Sequence, residues 1–223
     1  MTPGRALVVM AKAPVGGSAK TRLAASARLD PAAIQALVEA FLLDTLEHAR
    51  EVPAADVRVC FAPASQRAWF ESRVDGLDLS PQVEGDLGAR MTAVFDAEFQ
   101  RGVRAVVIIG SDTPHLPTER ISQAFRELDN HDVVLGPALD GGYYVIGLSA
   151  PAVTLFDDVP WSTDRVLDVT LQRARSARLS VSRLEPTYDV DGAPDLERLA
   201  AEIAADRAYC PRCARVLREL RRL

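Results

Sequence analysis

The segment Ala11–Leu23 (A-K-A-P-V-G-G-S-A-K-T-R-L) sets Lys12, Lys20 and Arg22 around the glycine pair Gly16-Gly17. Glycines let backbone amides approach a ligand closely, and three cations add charge, so phosphate is the guest that suits such a segment. The chain has 26 basic residues, and Lys12 and Lys20 are its only lysines. A compact ammonium is a different tool from a guanidinium, which points to a need for it here; chance clustering and a solvated surface turn are the plainer readings. The segment is not a Walker loop, because Pro14 and Ala19 stand where glycines are needed before Lys20-Thr21. No G-x-G-x-x-G occurs either, which argues against a dinucleotide cofactor.

Acidic candidates follow later in the chain. Asp112 lies in G-S-D-T-P-H-L-P, Gly110–Pro117. A hard carboxylate facing a phosphate segment suits a divalent cation that bridges phosphate oxygens; capping of the turn by Asp112 and Thr113 is the structural alternative. His115, in the same loop, reads equally as a substrate contact or a loop histidine. In L-D-G-G-Y-Y-V-I-G-L, Leu139–Leu148, Asp140 suits sugar hydroxyls or general-base work, and Gly141-Gly142 leave room for a close-fitting group. The same D-G-G also describes a plain hairpin turn. In Y-D-V-D-G-A-P-D-L, Tyr188–Leu196, Asp189 and Asp191 share a face if the chain is extended, and one of them completes a metal site with Asp112. Pro194 and Asp195 read as helix-start residues.

The elements that carry these loops alternate. Strands are expected at Arg5–Met10, Asp56–Phe61, Val103–Gly110, Asp132–Leu135, Tyr143–Leu148 and Ser180–Leu184. Helices are expected from Asp30-Pro31 to Arg50, then at Gln66–Arg73, Ala89–Gln100, Thr118–Leu128, Thr163–Ala177, Pro194–Ala205 and Pro211–Leu220. Val83–Gly88 reads as a glycine-punctuated loop. Val103–Gly110 is apolar on both faces at its end, as a central parallel strand should be. Tyr143–Leu148 follows its predecessor too closely for a helical crossover, so the late sheet should be mixed. The expectation is an α/β fold with a mostly parallel sheet and helices on both faces, in a single domain over residues 1–223. Ligands of such sheets bind beyond the carboxyl ends of the strands, where the four loops above fall.

Composition narrows the field. The chain has 223 residues, 48% apolar and 26% charged, with a net charge of −5. That argues against disorder and disfavours sequence-independent nucleic-acid binding. The basic run Arg212–Arg222 reads as a solvated helix face. No run is long enough to span a bilayer and no leader is visible, so a cytoplasmic location is expected. Three cysteines, Cys60, Cys210 and Cys213, do not make a disulfide framework, and a single C-x-x-C lacks the second pair a structural zinc site needs.

Taken in order, A-K-A-P…G-x-x-K-T-R-L, G-D-L-G-x-R-M (Gly85–Met91), G-S-D-T-P, G-P-A-L-D-G-G-Y-Y-V-I-G-L, P-W-S-T-D (Pro160–Asp164) and Y-D-V-D-x-x-x-D-L resemble the DUF2064 family. That family belongs to the GT-A-type nucleotide-diphospho-sugar transferases, and some of its members are linked to arsenosugar biosynthesis. The resemblance runs from about Ala6 to Cys210. It implies a GT-A, Rossmann-like mixed sheet that binds a nucleotide in its N-terminal half. It also implies kinship with nucleotidyltransferases for molybdopterin, 2-phospholactate and isoprenoid precursors. By resemblance, Lys12, Gly17, Lys20 and Arg22 contact nucleotide phosphates, and Gly85, Asp86 and Arg90 lie near base or ribose. Asp112 matches the metal-binding aspartate, and Asp191 or Asp189 the second ligand. Asp140, Gly141 and Gly142, with Trp161, Ser162 and Thr163, border the sugar or acceptor. The family's opening usually reads P-V-P-G where this chain has Pro14-Val15-Gly16-Gly17, and Cys213 replaces a usual threonine.

These readings combine into an expected transferase that takes a nucleotide-diphosphate sugar and a small-molecule acceptor. Mg²⁺ or Mn²⁺ would neutralise charge developing on the leaving diphosphate, Lys20 and Arg22 would add to that stabilisation, and Asp140 would activate the acceptor. Two alternatives stand beside it. One is a nucleotidyltransferase that joins an NTP to a phosphorylated small molecule and releases pyrophosphate. The other is a nucleotide-binding module without turnover.

Overall fold

The computed structural model describes residues 4–14, 20–152 and 154–223. Its seven strands are β1 (Arg5–Lys12), β2 (Ala55–Ala62), β3 (Asp78–Pro81), β4 (Ala105–Gly110), β5 (Val133–Pro137), β6 (Tyr143–Leu148) and β7 (Val181–Arg183). The helices are α1 (Thr21–Ala27), α2 (Pro31–Arg50), α3 (Arg67–Glu71), α4 (Leu87–Gln100), α5 (Thr118–Glu127), α6 (Val166–Ser176), α7 (Ala193–Ala204) and α8 (Pro211–Glu219). The expected elements are present with ends displaced by a few residues. The edge strand β3 and the short helix α1 are additions, and β1 runs on through Lys12.

The strands form one sheet in the order β3-β2-β1-β4-β6-β5-β7. β6 runs antiparallel to both β4 and β5, and the remaining pairs are parallel. The turn Ala138–Gly142 is too short for a crossover, so β6 has to reverse direction. The fold is therefore a Rossmann-like sheet, mixed but mostly parallel, with helices on both faces, as the resemblance implies.

Residues of period two sort themselves onto the two faces. Leu7, Val9, Val59, Phe61, Val107 and Ile109 pack against Leu42 and Leu46 of α2, Phe70 of α3 and Phe125 of α5. Their neighbours Ala6, Val8, Cys60, Val106 and Ile108 pack against Met91 and Phe95 of α4 and Leu171 of α6. A third cluster joins Leu37 and Phe41 of α2 to Leu23 of α1, Leu199 of α7 and Leu217 of α8. Helix α2 thus buries two faces, which explains its nearly all-round apolar sequence. Asp30 caps it by accepting from the Ala33 amide at 2.8 Å, and Pro31 opens it.

Helix α8 is held through Asp44, a fully buried carboxylate on α2. Its oxygens accept from the backbone amides of Arg212 (3.1 Å) and Cys213 (2.9 Å), the exposed amides of the α8 N-terminus. The Arg212 guanidinium pairs with Asp44 at 3.3 Å and also with Glu47, and Arg222 donates to the Ala27 carbonyl at 2.6 Å. Part of the basic C-terminal run is therefore fastened to the fold rather than solvated. The three cysteines are buried free thiols. Among the described residues, no helix is long and apolar enough to cross a membrane.

The sheet order reverses at β1: β2 and β3 continue on one side and β4 opens the other. The crevice at the carboxyl ends of β1 and β4 is the topological switch point, where sheets of this kind bind ligands. The chain leaving β1 leads to Lys20, and the chain leaving β4 carries Asp112.

Candidate active site

Lys20 stands at the start of α1 in a left-handed conformation, φ 52° and ψ 43°. A side chain with a Cβ adopts that region at a cost of about 1 kcal/mol, so the surroundings have to hold it there. What holds it is a pair of carboxylates: its ammonium lies 2.9 Å from Asp112 Oδ2 and 2.5 Å from Asp191 Oδ1. The Lys20 side chain is only 8% exposed. Burial pushes its pKa down, but the charges and hydrogen bonds of Asp112 and Asp191 outweigh burial and leave it above the ordinary lysine value.

Three loops are tied together around this point. The Val190 amide donates to the Asp112 carbonyl at 2.8 Å, which joins the chain after β7 to the chain after β4. Thr113 Oγ1 donates to Asp189 Oδ1 at 2.5 Å. Val190, between the two aspartates, is fully buried and faces the core. Burial pushes the Asp189 carboxyl up to about 6, with the neighbouring charges of Asp112 and Asp191 adding to the shift. Arg22, 79% exposed, reaches the other oxygen of Asp191 at 2.8 Å. Asp195 accepts from the amides of Asp191 (3.1 Å) and Gly192 (2.8 Å), which fixes Asp191 at the N-terminus of α7. Ser26 of α1 accepts from the Ala193 amide at 3.0 Å. An open cleft of about 600 Å³ lies against this group, lined by Arg22, Ser26, Asp191, Gly192 and Asp195 among others.

His115 does not reach the carboxylate cluster through any hydrogen bond. Its ring stacks on Tyr188 with centroids 4.1 Å apart, and its Nε2 meets Thr187 Oγ1 at 3.1 Å. Burial lowers its pKa to about 4, so the ring is neutral near pH 7. Beneath the same loop, the Cys210 thiol donates to the Pro114 carbonyl at 3.3 Å, so α8 supports the chain that carries Asp112.

A second group of expected residues gathers nearby on the same edge of the sheet. Gln82 donates to the carbonyls of Cys60 (2.9 Å) and Ala11 (3.3 Å), at the ends of β2 and β1. Arg90 donates to the Gly85 carbonyl at 3.0 Å and to Gln82 at 3.4 Å, and Asp86 caps α4 by accepting from the Ala89 amide at 2.8 Å. Gly85 has φ 122°, a conformation that favours glycine. A Cβ on Gly88 would lie 2.8 Å from the Trp161 ring, so α4 and Trp161 pack closely. Gly141, at φ 91°, packs against the backbone of Asp164, and its carbonyl accepts from Leu167 at 2.9 Å. The Asp140 carboxylate accepts from the Gly142 amide at 2.9 Å. Thr163 Oγ1 donates to the Pro160 carbonyl at 2.7 Å, and Ser162 is left-handed at φ 65°.

The structure therefore brings Lys20, Arg22, Asp112, Asp189 and Asp191 into one cluster. Gly85–Arg90, Asp140–Gly142 and Trp161–Thr163 border one another in a second. Lys12 is exposed at the end of β1. Gly17, with Gly16, lies outside the described residues. Thr113, Gln82 and Ser26 join these groups beside the expected site residues. Thr113 had a signal in its place beside Asp112, whereas Gln82 and Ser26 have none.

Among the described residues, no three metal-ligating side chains form a ready cation site. Asp112 and Asp191 nonetheless converge on one cation, the Lys20 ammonium. Two carboxylates with the other positions left to phosphate and water are the donor set that Mg²⁺ or Mn²⁺ takes beside a diphosphate, so the residues fit that ion once the ammonium withdraws.

Sheet order and switch point define a mixed, mostly parallel Rossmann-like fold with a charged crevice, the GT-A architecture that the resemblance implies. Residues 45–163 match the family described as uncharacterized protein conserved in bacteria, DUF2064, and the chain belongs to that family. A crystal structure from Desulfovibrio desulfuricans G20, provisionally assigned as a nucleotide-diphospho-sugar transferase, is 30% identical with TM-score 0.88, over 96% of this chain and 94% of that one. A CMP:2-keto-3-deoxy-manno-octonic acid synthetase complexed with CTP shares the fold at 12% identity and TM-score 0.60, over 91% of this chain and 99% of that one. The Rv0371c protein of Mycobacterium tuberculosis H37Rv, in complex with manganese, shares it at 19% identity and TM-score 0.53, over 89% and 98%. No curated protein sequence matches.

Proposed function

We propose that this protein is a transferase that binds a nucleotide-diphosphate sugar at the β1/β4 crevice and passes the sugar to a small-molecule acceptor. The observation that carries this reading is the meeting of Lys20 with Asp112 and Asp191 at the switch point of a sheet used by nucleotide-dependent transferases. Lys20 and Arg22 hold the diphosphate and meet the negative charge that grows on it as the glycosyl bond breaks. Asp112 and Asp191 would hold Mg²⁺ or Mn²⁺, which would supply further neutralisation of the leaving group. A related fold in complex with manganese supports that choice of ion. Lys12 and Gly17 extend the phosphate contacts, and Gly85, Asp86 and Arg90 shape the side that takes the base or ribose. Asp140, Gly141 and Gly142 with Trp161, Ser162 and Thr163 border the sugar and acceptor, and Asp140 is the candidate base. Asp189 steadies the loop through Thr113. The whole chain acts as one unit.

A second reading keeps the site and changes the bond broken: a nucleotidyl group moves from an NTP and pyrophosphate leaves. The CTP complex of the synthetase that shares the fold supports keeping it. A thermal-shift panel of NDP-sugars and NTPs, with and without Mn²⁺, tests both. A bound ligand at about 100 times its Kd stabilises the fold by about 2.7 kcal/mol, which such a panel resolves. Release of free NDP supports sugar transfer, and release of pyrophosphate supports nucleotidyl transfer. No shift with any member would overturn both readings.

A further inference from the structure

The carboxylates suited to a divalent ion already hold a cation. Lys20 is tethered within 3 Å of both, and Asp191 is occupied on its other oxygen by Arg22. Asp112, 48% exposed, is more open to water than Asp191, 28% exposed. An ion arriving alone meets two carboxylates that already share a cation, and it competes for them poorly. To gain both it has to expel a buried ammonium held beside them at high effective concentration, and the neighbouring Asp189 already accepts from Thr113. A diphosphate changes that balance. It offers the ammonium a new anionic partner, and it brings the remaining oxygen ligands for the metal.

We infer that Lys20 is the resident counter-cation of the Asp112–Asp191 pair, and that it yields the pair to a divalent ion only when diphosphate is bound. This rests on the donor reading above and specifies it: the species bound is the metal–diphosphate complex, with metal and diphosphate raising each other's affinity by one common factor. Lys20 has two stations, the carboxylates in the free protein and the phosphates in the complex. The Lys20 side chain lies buried beside the partly exposed Asp112, and a rotation of its flexible stem would carry the ammonium from one station to the other.

The test is Mn²⁺ binding to the full chain, followed by the paramagnetic resonance of free Mn²⁺. Lys20→Met should bind Mn²⁺ alone roughly tenfold or more tighter than the unaltered chain, and Lys20→Gln should move the same way. Unchanged or weaker binding in folded variants overturns the inference. The unaltered chain provides an arm that needs no variant: at a buffered level of free Mn²⁺, inorganic pyrophosphate should raise the metal retained by the protein by a similar factor. Equal retention with and without pyrophosphate also overturns it. These results separate from the donor reading. Tighter Mn²⁺ binding by Lys20→Met with no nucleotide bound by the unaltered chain would leave the exchange standing and remove the donor. Nucleotide binding without the gain in Lys20→Met would do the reverse.

Discussion

Lys20 Nζ and Asp191 Oδ1 are 2.5 Å apart although 171 positions separate them in the chain. That contact closes the loop after β1 onto the loop after β7, with Asp112 beside it. Replacing either carboxylate, in Asp112→Asn or Asp191→Asn, should therefore abolish the Mn²⁺-dependent part of nucleotide binding. Turnover should fall by about 10²–10³, the usual loss when one charge-stabilising group at a reacting centre is removed. Calorimetric titration with and without Mn²⁺, beside product assays, checks this.

Arg22 offers the opposite balance. It is 79% exposed and makes one ion pair, with Asp191. Exposed pairs contribute little, so Arg22→Ala should change stability by less than about 1 kcal/mol. Its effect should fall instead on the reaction of the donor, as a fall in kcat/KM. Urea denaturation and steady-state kinetics on one preparation separate the two.

Stability should depend on pH through His115. Burial beside Tyr188 lowers its folded-state pKa to about 4, against an ordinary value near 6.5. The unfolded chain therefore binds the proton first as pH falls. Above about pH 6.5 both states are neutral and nothing is lost; as pH falls from there toward 4 the folded state loses about 3 kcal/mol relative to the unfolded chain. His115→Asn should flatten that part of the pH profile, as read from urea midpoints between pH 4 and 7.

Asp44 tests whether the α8 cap is structural alone. It is fully buried and serves two amides and the Arg212 guanidinium. Asp44→Ala leaves these donors without their partner, a loss of about 3 kcal/mol. The variant should melt earlier yet keep its affinity for Mn²⁺ with nucleotide at temperatures where it stays folded.

Two glycines make a controlled pair. Gly141 and Gly102 both have positive φ, 91° and 83°, but a Cβ on Gly141 would strike the backbone of Asp164 while one on Gly102 meets open space. Gly102→Ala should cost about 1 kcal/mol from backbone strain alone. Gly141→Ala should cost clearly more and should also displace Trp161–Asp164. Thermal melting of the two variants gives the comparison.

Local pattern determined much of this. The apolar run of β4, the Asp30-Pro31 start of α2 and the reversal of β6 were legible because each depends on neighbouring residues alone. So were the types of the candidate residues, lysine and arginine early and aspartate later. The edge strand β3 and the short α1 carry too little periodicity, over four and seven residues, to be legible in the sequence. Asp86 and Arg90 came from family resemblance as residues near base or ribose, while the structure shows where their polar atoms go, to the α4 cap and the Gly85 carbonyl.

Which partner each charge takes lay outside the sequence. Asp189 and Asp191 look equivalent when written out, yet one accepts from Thr113 and the other from Lys20 and Arg22. The composition and order of residues determined the elements and their apolar faces, because those follow from interactions a few positions apart. The meeting of residues 20, 112 and 191 was decided by strand order, since only a sheet that reverses at β1 sets the ends of β1 and β4 side by side.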